Sequence, residues 1–266
     1  MNVEPPGLGR LLKRDRHIAI GGLVFVSVAS WLYILTGAGM DMGEMAATSG
    51  EDVMAMRPPW TPAYFGLMLA MWWVMMVAMM LPSAAPMVLL FVTVNQTSRK
   101  QGRSYVPTSF FVAGYLVAWG GFSPVAVLLQ WGLDRLTAFL PMMRTTSLYF
   151  GAALLIAAGV YQLTPLKHAC LRHCRSPLLF IAHHWRPGTG GAFRMGLEHG
   201  LFCIGCCWVL MALLFYGGVM NLWWIAGLAL YVLIEKLAPA GHRFGRYAGG
   251  LLIFWGAWVL VGTANG

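Results

Sequence analysis

The chain has 266 residues, of which 59% are hydrophobic and only 10% charged, and its formal net charge is +9. A soluble domain usually has about 25% charged residues and exposes much of its surface to water, so this composition excludes an ordinary soluble fold and makes the lipid bilayer the expected solvent. The basic residues lie in the gaps between apolar runs, which is typical of membrane proteins and argues against a nucleic-acid partner.

Apolar runs that could cross a bilayer recur along the chain, since a span needs about 20 apolar residues. We therefore predict an all-α polytopic membrane helix bundle with about seven transmembrane helices, forming a single membrane domain over residues 1–266. The predicted spans cover residues 17–39, 62–94, 106–133, 147–163, 192–216, 221–237 and 244–261. Span 2 is long and contains Pro82 and Pro86, so we expect it to be kinked or tilted.

Lysine and arginine alternate between the two sides of the predicted bundle. Fifteen of the eighteen basic residues precede span 1 or lie in the second, fourth and sixth connections, and only Arg57, Arg135 and Arg144 lie on the other side. Because basic residues are enriched in cytoplasmic loops, this pattern predicts a cytoplasmic N-terminus. We expect a multi-pass protein of the bacterial inner (plasma) membrane.

The first connection, on the predicted outer side, is rich in methionine and includes Met40, Met42 and Met45. An exposed loop gains little from apolar side chains, so M-x-M spacing there indicates soft thioether coordination of a metal. Span 2 adds further methionines, for which lipid contact or gap filling is the alternative. They are Met68, Met71, Met75 and Met79 on one face, with Met76, Met80 and Met87 on the adjoining face.

The connection between spans 4 and 5 starts with a predicted short interfacial helix. Thr164 can cap this helix and Pro165 suits its first position. Lys167, Cys170 and Cys174 would then share one face. The C-x-x-x-C spacing with neighbouring histidines indicates metal binding, and the alternative is a basic helix at the headgroups with incidental thiols.

Span 5 carries the strongest chemical pattern. His199, Cys203 and Cys207 follow a spacing of four, which places them on one helix face, and Cys206 flanks them. Sulfur and imidazole ligands suit Cu(I) or Zn(II), and ionisable residues such as His199 and Glu198 are rare inside membranes. Ordinary buried cysteines are the alternative interpretation. Two soft ligands suffice for Cu(I) whereas tetrahedral Zn(II) needs four, so copper is the favoured metal and zinc remains open.

Glu235 and Lys236 lie at the inner end of span 6, at a depth similar to that of Glu198 and His199. They pair with each other or complete a polar metal site, in which Glu235 is a candidate ligand. A snorkelling pair at the membrane interface is the alternative.

Several of these segments resemble a bacterial membrane family described as predicted metal-binding integral membrane protein. The resemblance covers most of the chain from span 2 onward, and its most specific part is the G-C-C-W run within Gly200–Met211. The label implies metal binding without fixing the metal or the activity. The other matching segments are Ala78–Pro82, Pro165–Lys167 with Cys170 and Cys174, Gly218–Asn221, and Glu235–Lys236.

The sequence therefore predicts a Cu(I)-handling membrane protein, a transporter or a membrane metallochaperone, whose partner is a copper chaperone or a subunit of a membrane complex. Outer methionines would collect the ion, span 5 would hold it, and Cys170 and Cys174 would pass it to or from the cytosol. The alternatives are a membrane thiol–disulfide oxidoreductase, based on the Cys203–Cys206 C-x-x-C, and a scaffold subunit without a site of its own. An enzymatic activity is not favoured.

Overall fold

The computed structural model describes residues 8–37, 59–101, 106–135, 139–140, 144–145 and 148–264, and their regular secondary structure is helical except for one pair of two-residue strands. Strands β1 (Phe139–Leu140) and β2 (Arg144–Thr145) pair antiparallel. The helices are α1 (Leu8–Leu35), α2 (Pro62–Lys100), α3 (Thr108–Arg135), α4 (Leu148–Leu163), α5 (Pro165–Arg175), α6 (Pro177–His184), α7 (Gly188–Ala212), α8 (Leu214–Gly217), α9 (Leu222–Leu237) and α10 (Gly241–Ala264). The all-helical prediction is confirmed.

Helices lie at all seven predicted span positions, but fewer have the length and composition of a span. Within the described residues, five segments are long and apolar enough to cross a membrane, or six if the bent pair α4–α5 counts as one span. The five are Asp15–Leu35, Pro62–Arg99, Thr108–Arg135, Gly188–Gly217 and Gly241–Gly262. Helix α9 has 16 residues, and so reaches about 24 Å against roughly 30 Å for a hydrocarbon core. The number of seven spans and the orientation stay predictions.

The predicted helix after span 4 forms as α5, although its surroundings differ from those expected. Thr164 caps it by accepting a hydrogen bond from the backbone N–H of Lys167 at 3.3 Å, and Pro165 is its first residue. Helix α5 bends away from α4 by 65° and packs against α7, with Lys167 buried. Its Lys167 face therefore lies inside the bundle.

Helix α2 forms the centre of the bundle and runs through Pro82 and Pro86 as one continuous helix. In its most apolar stretch 67% of the residues are buried, against 11% in the corresponding stretch of α1 and 17% in that of α10. Lipid contact is therefore not the role of its methionines, because seven of them are almost completely buried. These are Met68, Met71, Met75, Met76, Met79, Met80 and Met87.

Helices α3 and α7 approach each other so closely that glycine is required at the contact. A Cβ atom on Gly196 would lie 1.9 Å from the carbonyl oxygen of Phe111, and one on Gly114 would lie 2.0 Å from that of Phe193. Gly196 and Gly114 therefore serve close helix packing. This contact fixes the position of α7, which carries three of the five cysteines.

Candidate metal-binding site

The three cysteines of α7 form the centre of a buried sulfur cluster. Cys203, Cys206 and Cys207 are each at most 1% exposed. The thiols of Cys206 and Cys207 both donate to the backbone carbonyl of Cys203, at 3.1 Å and 3.0 Å. Such bonds to the preceding turn are a common way to satisfy a polar group inside a helix, and here they gather the three side chains at one level of α7.

Cys203 contacts side chains from two other helices, α3 and α9, and one of these side chains reaches on to α2. The ammonium of Lys236 from α9 lies 2.9 Å from its sulfur, and the hydroxyl of Tyr115 from α3 lies 3.1 Å from it. Lys236 also donates to the hydroxyl of Ser83 from α2 at 3.0 Å. A thiol surrounded by hydrogen-bonding partners in this way is unlike an inert cysteine in an apolar core.

Helix α5 supplies a fourth thiol to this cluster. The side chain of Cys174 packs against the buried cluster that contains Cys203 and Cys206, and its thiol interacts with both of theirs. Cys170 also approaches α7, since a Cβ atom on Gly205 would lie 2.8 Å from the Cys170 sulfur. Cys170 and Cys174 are only half-buried, and all five cysteines are free thiols. The structure therefore brings the two predicted cysteine groups together.

A thioether from α2 completes the set of soft atoms. The sulfur of Met80 lies 3.9 Å from the sulfur of Cys207, while the carbonyl oxygen of Met80 accepts a hydrogen bond from Tyr115 at 3.1 Å. Met80 thus connects the buried methionines of α2 to the thiols of α7. The sequence named Met80 as one of the span 2 methionines, with lipid contact or gap filling as the alternative.

His199 lies one turn before Cys203 on α7, but its ring sits in an aromatic pocket. The ring centroids of Phe111, Tyr115 and Phe180 lie 6.1 Å, 5.8 Å and 5.3 Å from that of His199. The side chain is 3% exposed, and its Nδ1 atom has no hydrogen-bond partner among the described residues. A buried nitrogen without a partner is uncommon, so this atom has unused capacity for a ligand.

The two carboxylates proposed as ligands are engaged elsewhere. Glu198 accepts from Arg186 at 3.0 Å and from Arg194 at 3.1 Å. Glu235 forms a buried ion pair with Lys167 at 2.7 Å and does not pair with Lys236. Neighbouring residues on a helix point in directions about 100° apart, so the two side chains of α9 reach different partners.

No three His, Cys, Asp or Glu side chains within the described residues are arranged to hold one metal ion. This finding weighs against a preformed tetrahedral zinc site, which needs four ligands. Met40, Met42 and Met45 lie outside the described residues. The metal roles of all eleven sequence-predicted residues stay predictions.

Sequence reasoning missed Ser83 and Tyr115, and it missed the contact between Lys236 and Cys203. The signal for Ser83 and Tyr115 was weak, because single hydroxyl groups are common in membrane helices. A lysine at the end of a span fits snorkelling equally well, so its direction depends on the tertiary fold.

The chain matches the PpoB2 family, described as copper chaperone, over residues 69–259, and it belongs to that family. The match runs from α2 into α10 and includes all five cysteines, Met80 and Lys236. Comparison with curated proteins and with solved structures finds no match. The copper-related part of the sequence-based hypothesis is confirmed, and the oxidoreductase and scaffold alternatives are not favoured.

Proposed function

We propose that this protein is a membrane copper chaperone that binds Cu(I) between sulfur atoms where α5 and α7 meet. The observation that carries this proposal is the packing of the Cys174 side chain against the buried cluster that contains Cys203 and Cys206. Thiols from separate helices can hold an ion jointly and release it when the helices move apart. Neighbouring thiols of one helical turn lack this freedom.

The soft ligand set supports Cu(I) as the cargo. Thiolate and thioether ligands favour Cu(I), and two of them are sufficient for it. A metal–sulfur bond of about 2.3 Å places two ligands in line roughly 4.6 Å apart, so the 3.9 Å between Cys207 and Met80 needs only a small opening. The principal ligand pair in this proposal is Cys174 with either Cys203 or Cys206. His199 is a secondary ligand.

The surface of the bundle supports a position within the bilayer. Helices α1, α3 and α10 present large apolar side chains outward, and a soluble protein rarely exposes such an extended apolar surface. We propose seven spans with a cytoplasmic N-terminus, in which α9 is a short span and α5 returns to the bundle from the cytoplasmic side. Examples of the outward side chains are Phe25, Leu32, Leu128, Leu129, Phe254 and Trp258.

The half-buried thiols of α5 provide the route for release. Cys170 and Cys174 lie between the fully buried cluster and the surface, so an incoming thiol of a partner can replace one ligand at a time. The Met-rich outer loop would collect the ion on the other side. Transport across the membrane or delivery to a membrane complex then depends on which partner receives the copper.

Metal analysis of the purified full chain tests this proposal. The wild-type protein, reduced and loaded with Cu(I) in the presence of a competing chelator, should retain about one copper per chain, because the cluster offers one principal site. The double variant Cys203→Ser/Cys206→Ser should lose the copper and keep its helical fold, since a hydroxyl can bond to the helix backbone but is a hard ligand.

The variant Met211→Leu provides the matched control, because it removes a buried sulfur from the same helix four residues beyond Cys207. It should bind copper as the wild type does. Wild-type stoichiometry in the double cysteine variant would show that these cysteines are core residues and would remove the proposed site.

A further inference from the structure

We infer that Lys236 is the counter-charge of a bound bis-thiolate Cu(I) ion, and that it makes the site selective for monovalent over divalent soft cations. This inference rests on the proposed function and adds a specificity-determining residue to it. It concerns a side chain that contacts a ligand sulfur and does not itself bind the metal.

The position of Lys236 is unusual for a lysine. The residue is 5% exposed, and its ammonium contacts the sulfur of Cys203 at 2.9 Å and the hydroxyl of Ser83 at 3.0 Å. Within the described part of the chain this ammonium makes no ion pair with a carboxylate. Its charge is therefore directed at the sulfur cluster.

The neighbouring carboxylate cannot neutralise Lys236. Glu235 is held by Lys167 at 2.7 Å, and both side chains of that pair are at most 2% exposed. This pair is neutral by itself. The positive charge of Lys236 thus has to be balanced by whatever negative charge develops on the sulfur atoms.

The charge balance depends on the valence of the ion. One Cu(I) ion with two thiolates has one net negative charge, and Lys236 makes the assembly neutral. A divalent ion with two thiolates is already neutral, so Lys236 would leave one buried positive charge without a partner. Such a charge is costly where the dielectric is low, because neither water nor a counter-ion screens it.

A third thiolate would restore neutrality for a divalent ion, but the geometry opposes it. Among the described residues, no three donors of the His, Cys, Asp and Glu types are arranged around one position. A third ligand would therefore require the cluster to rearrange. The two-ligand state that the structure allows is neutral only with a monovalent ion.

Competition between Ag(I), a redox-inert analogue of Cu(I), and Cd(II), a divalent ion with high affinity for thiols, tests the inference on the full chain. Lys236→Gln removes the charge without adding a sulfur ligand, whereas Lys236→Arg keeps the charge. The ratio of Ag(I) to Cd(II) affinity should fall at least about tenfold in Lys236→Gln and stay near the wild-type ratio in Lys236→Arg.

The variant Ser123→Ala serves as a control, because it removes a buried polar group whose hydrogen bond among the described residues is to Trp119 of its own helix. Its affinity ratio should equal that of the wild type. An unchanged ratio in Lys236→Gln would overturn the inference while leaving the proposed copper binding intact. A wild-type protein that binds neither Ag(I) nor Cu(I) would overturn the proposed function as well.

The wild-type chain supplies a further measurement that is independent of whether Lys236→Gln folds. Ag(I) should bind it with a higher affinity than Cd(II) after correction for the affinities of free thiol ligands. Equal corrected affinities at the same stoichiometry would contradict a counter-charge role for Lys236.

Discussion

Among the described residues two lysines are buried, Lys167 and Lys236, and they have different partners. This difference distinguishes a residue that stabilises the fold from one that lies at the proposed site. Lys167 is 1% exposed and pairs with a carboxylate, whereas Lys236 is 5% exposed and contacts a sulfur. A carboxylate–ammonium pair is complete and leaves nothing for a metal to bind. A sulfur that contacts an ammonium keeps lone pairs for a soft ion. Burial of a charge is therefore a weaker indication of function than the chemistry of the group that balances it.

The two lysines also connect different helices. The Lys167–Glu235 pair joins α5 to α9, with Tyr231 and Gln162 forming hydrogen bonds beside it. Lys236 joins α9 to α7 and α2. The first set positions α5, and the second lies at the sulfur atoms that α5 reaches. Each can therefore be disrupted separately.

The largest effect on stability is expected from the loss of the ion pair between Lys167 and Glu235. Lys167→Met leaves Glu235 buried without its partner, so the free energy of unfolding should fall by about 3–5 kcal/mol. Thermal unfolding in detergent, followed by circular dichroism, measures the change. Lys167→Met/Glu235→Leu should recover most of this loss, and equal destabilisation of both variants would contradict an anchoring ion pair.

A smaller loss of stability is expected when α7 is displaced from α3. Gly196→Ala places a Cβ atom against the Phe111 carbonyl, so we expect a destabilisation of about 1–3 kcal/mol and a lower copper affinity, because α7 carries the cysteines. Gly190→Ala on the same helix meets no atom within 4 Å and serves as control. Similar unfolding temperatures for the two variants would show that α7 can adjust its position freely.

A still smaller effect on stability is expected when the second partner of Lys236 is removed. Ser83→Ala should cost about 1 kcal/mol or less in stability, and it should change copper affinity by less than about tenfold because the lysine keeps its contact with Cys203. Ser123→Ala removes another buried serine hydroxyl, which bonds only to Trp119 in its own helix, and should leave copper affinity unchanged. A complete loss of copper in Ser83→Ala would assign the serine a direct role in binding.

The smallest effect on the bundle is expected from the outer loop. Replacing Met40, Met42 and Met45 together with leucine should leave the unfolding temperature unchanged and reduce copper uptake only at low copper concentration. Uptake by membrane vesicles over a range of copper concentrations measures this change. Unchanged uptake at the lowest concentration would remove the loop from the mechanism, and poor expression would assign it a structural role.

The sequence was most informative where the signal is local. Thr164 followed by Pro165 defines the start of a helix through its own hydrogen bonds and backbone angles, and the α5 start agrees with it. The spacing of four between Cys203 and Cys207 likewise fixes a shared helix face. Both features depend on residues less than two turns apart, so no knowledge of the tertiary fold is needed.

The partners of Glu235 and Lys236 could not be predicted in the same way. Lys167 lies 68 residues from Glu235, and Ser83 lies 153 residues from Lys236. Which partner each side chain meets depends on the order in which the helices pack, which no local pattern encodes. The proximity of Cys174 to Cys203 likewise depends on the tertiary fold.

The shortness of α9 has a consequence for the lipid around the protein. A helix of 16 residues that spans the bilayer covers about 24 Å, so the surrounding lipid must become thinner by several ångströms or the helix ends must draw in headgroups. Lipid thickness would then set how far the Lys236 end of α9 lies from water. The acyl-chain length of the lipid would then influence copper release. Reconstitution in bilayers of graded thickness would vary this length without changing a residue of the protein.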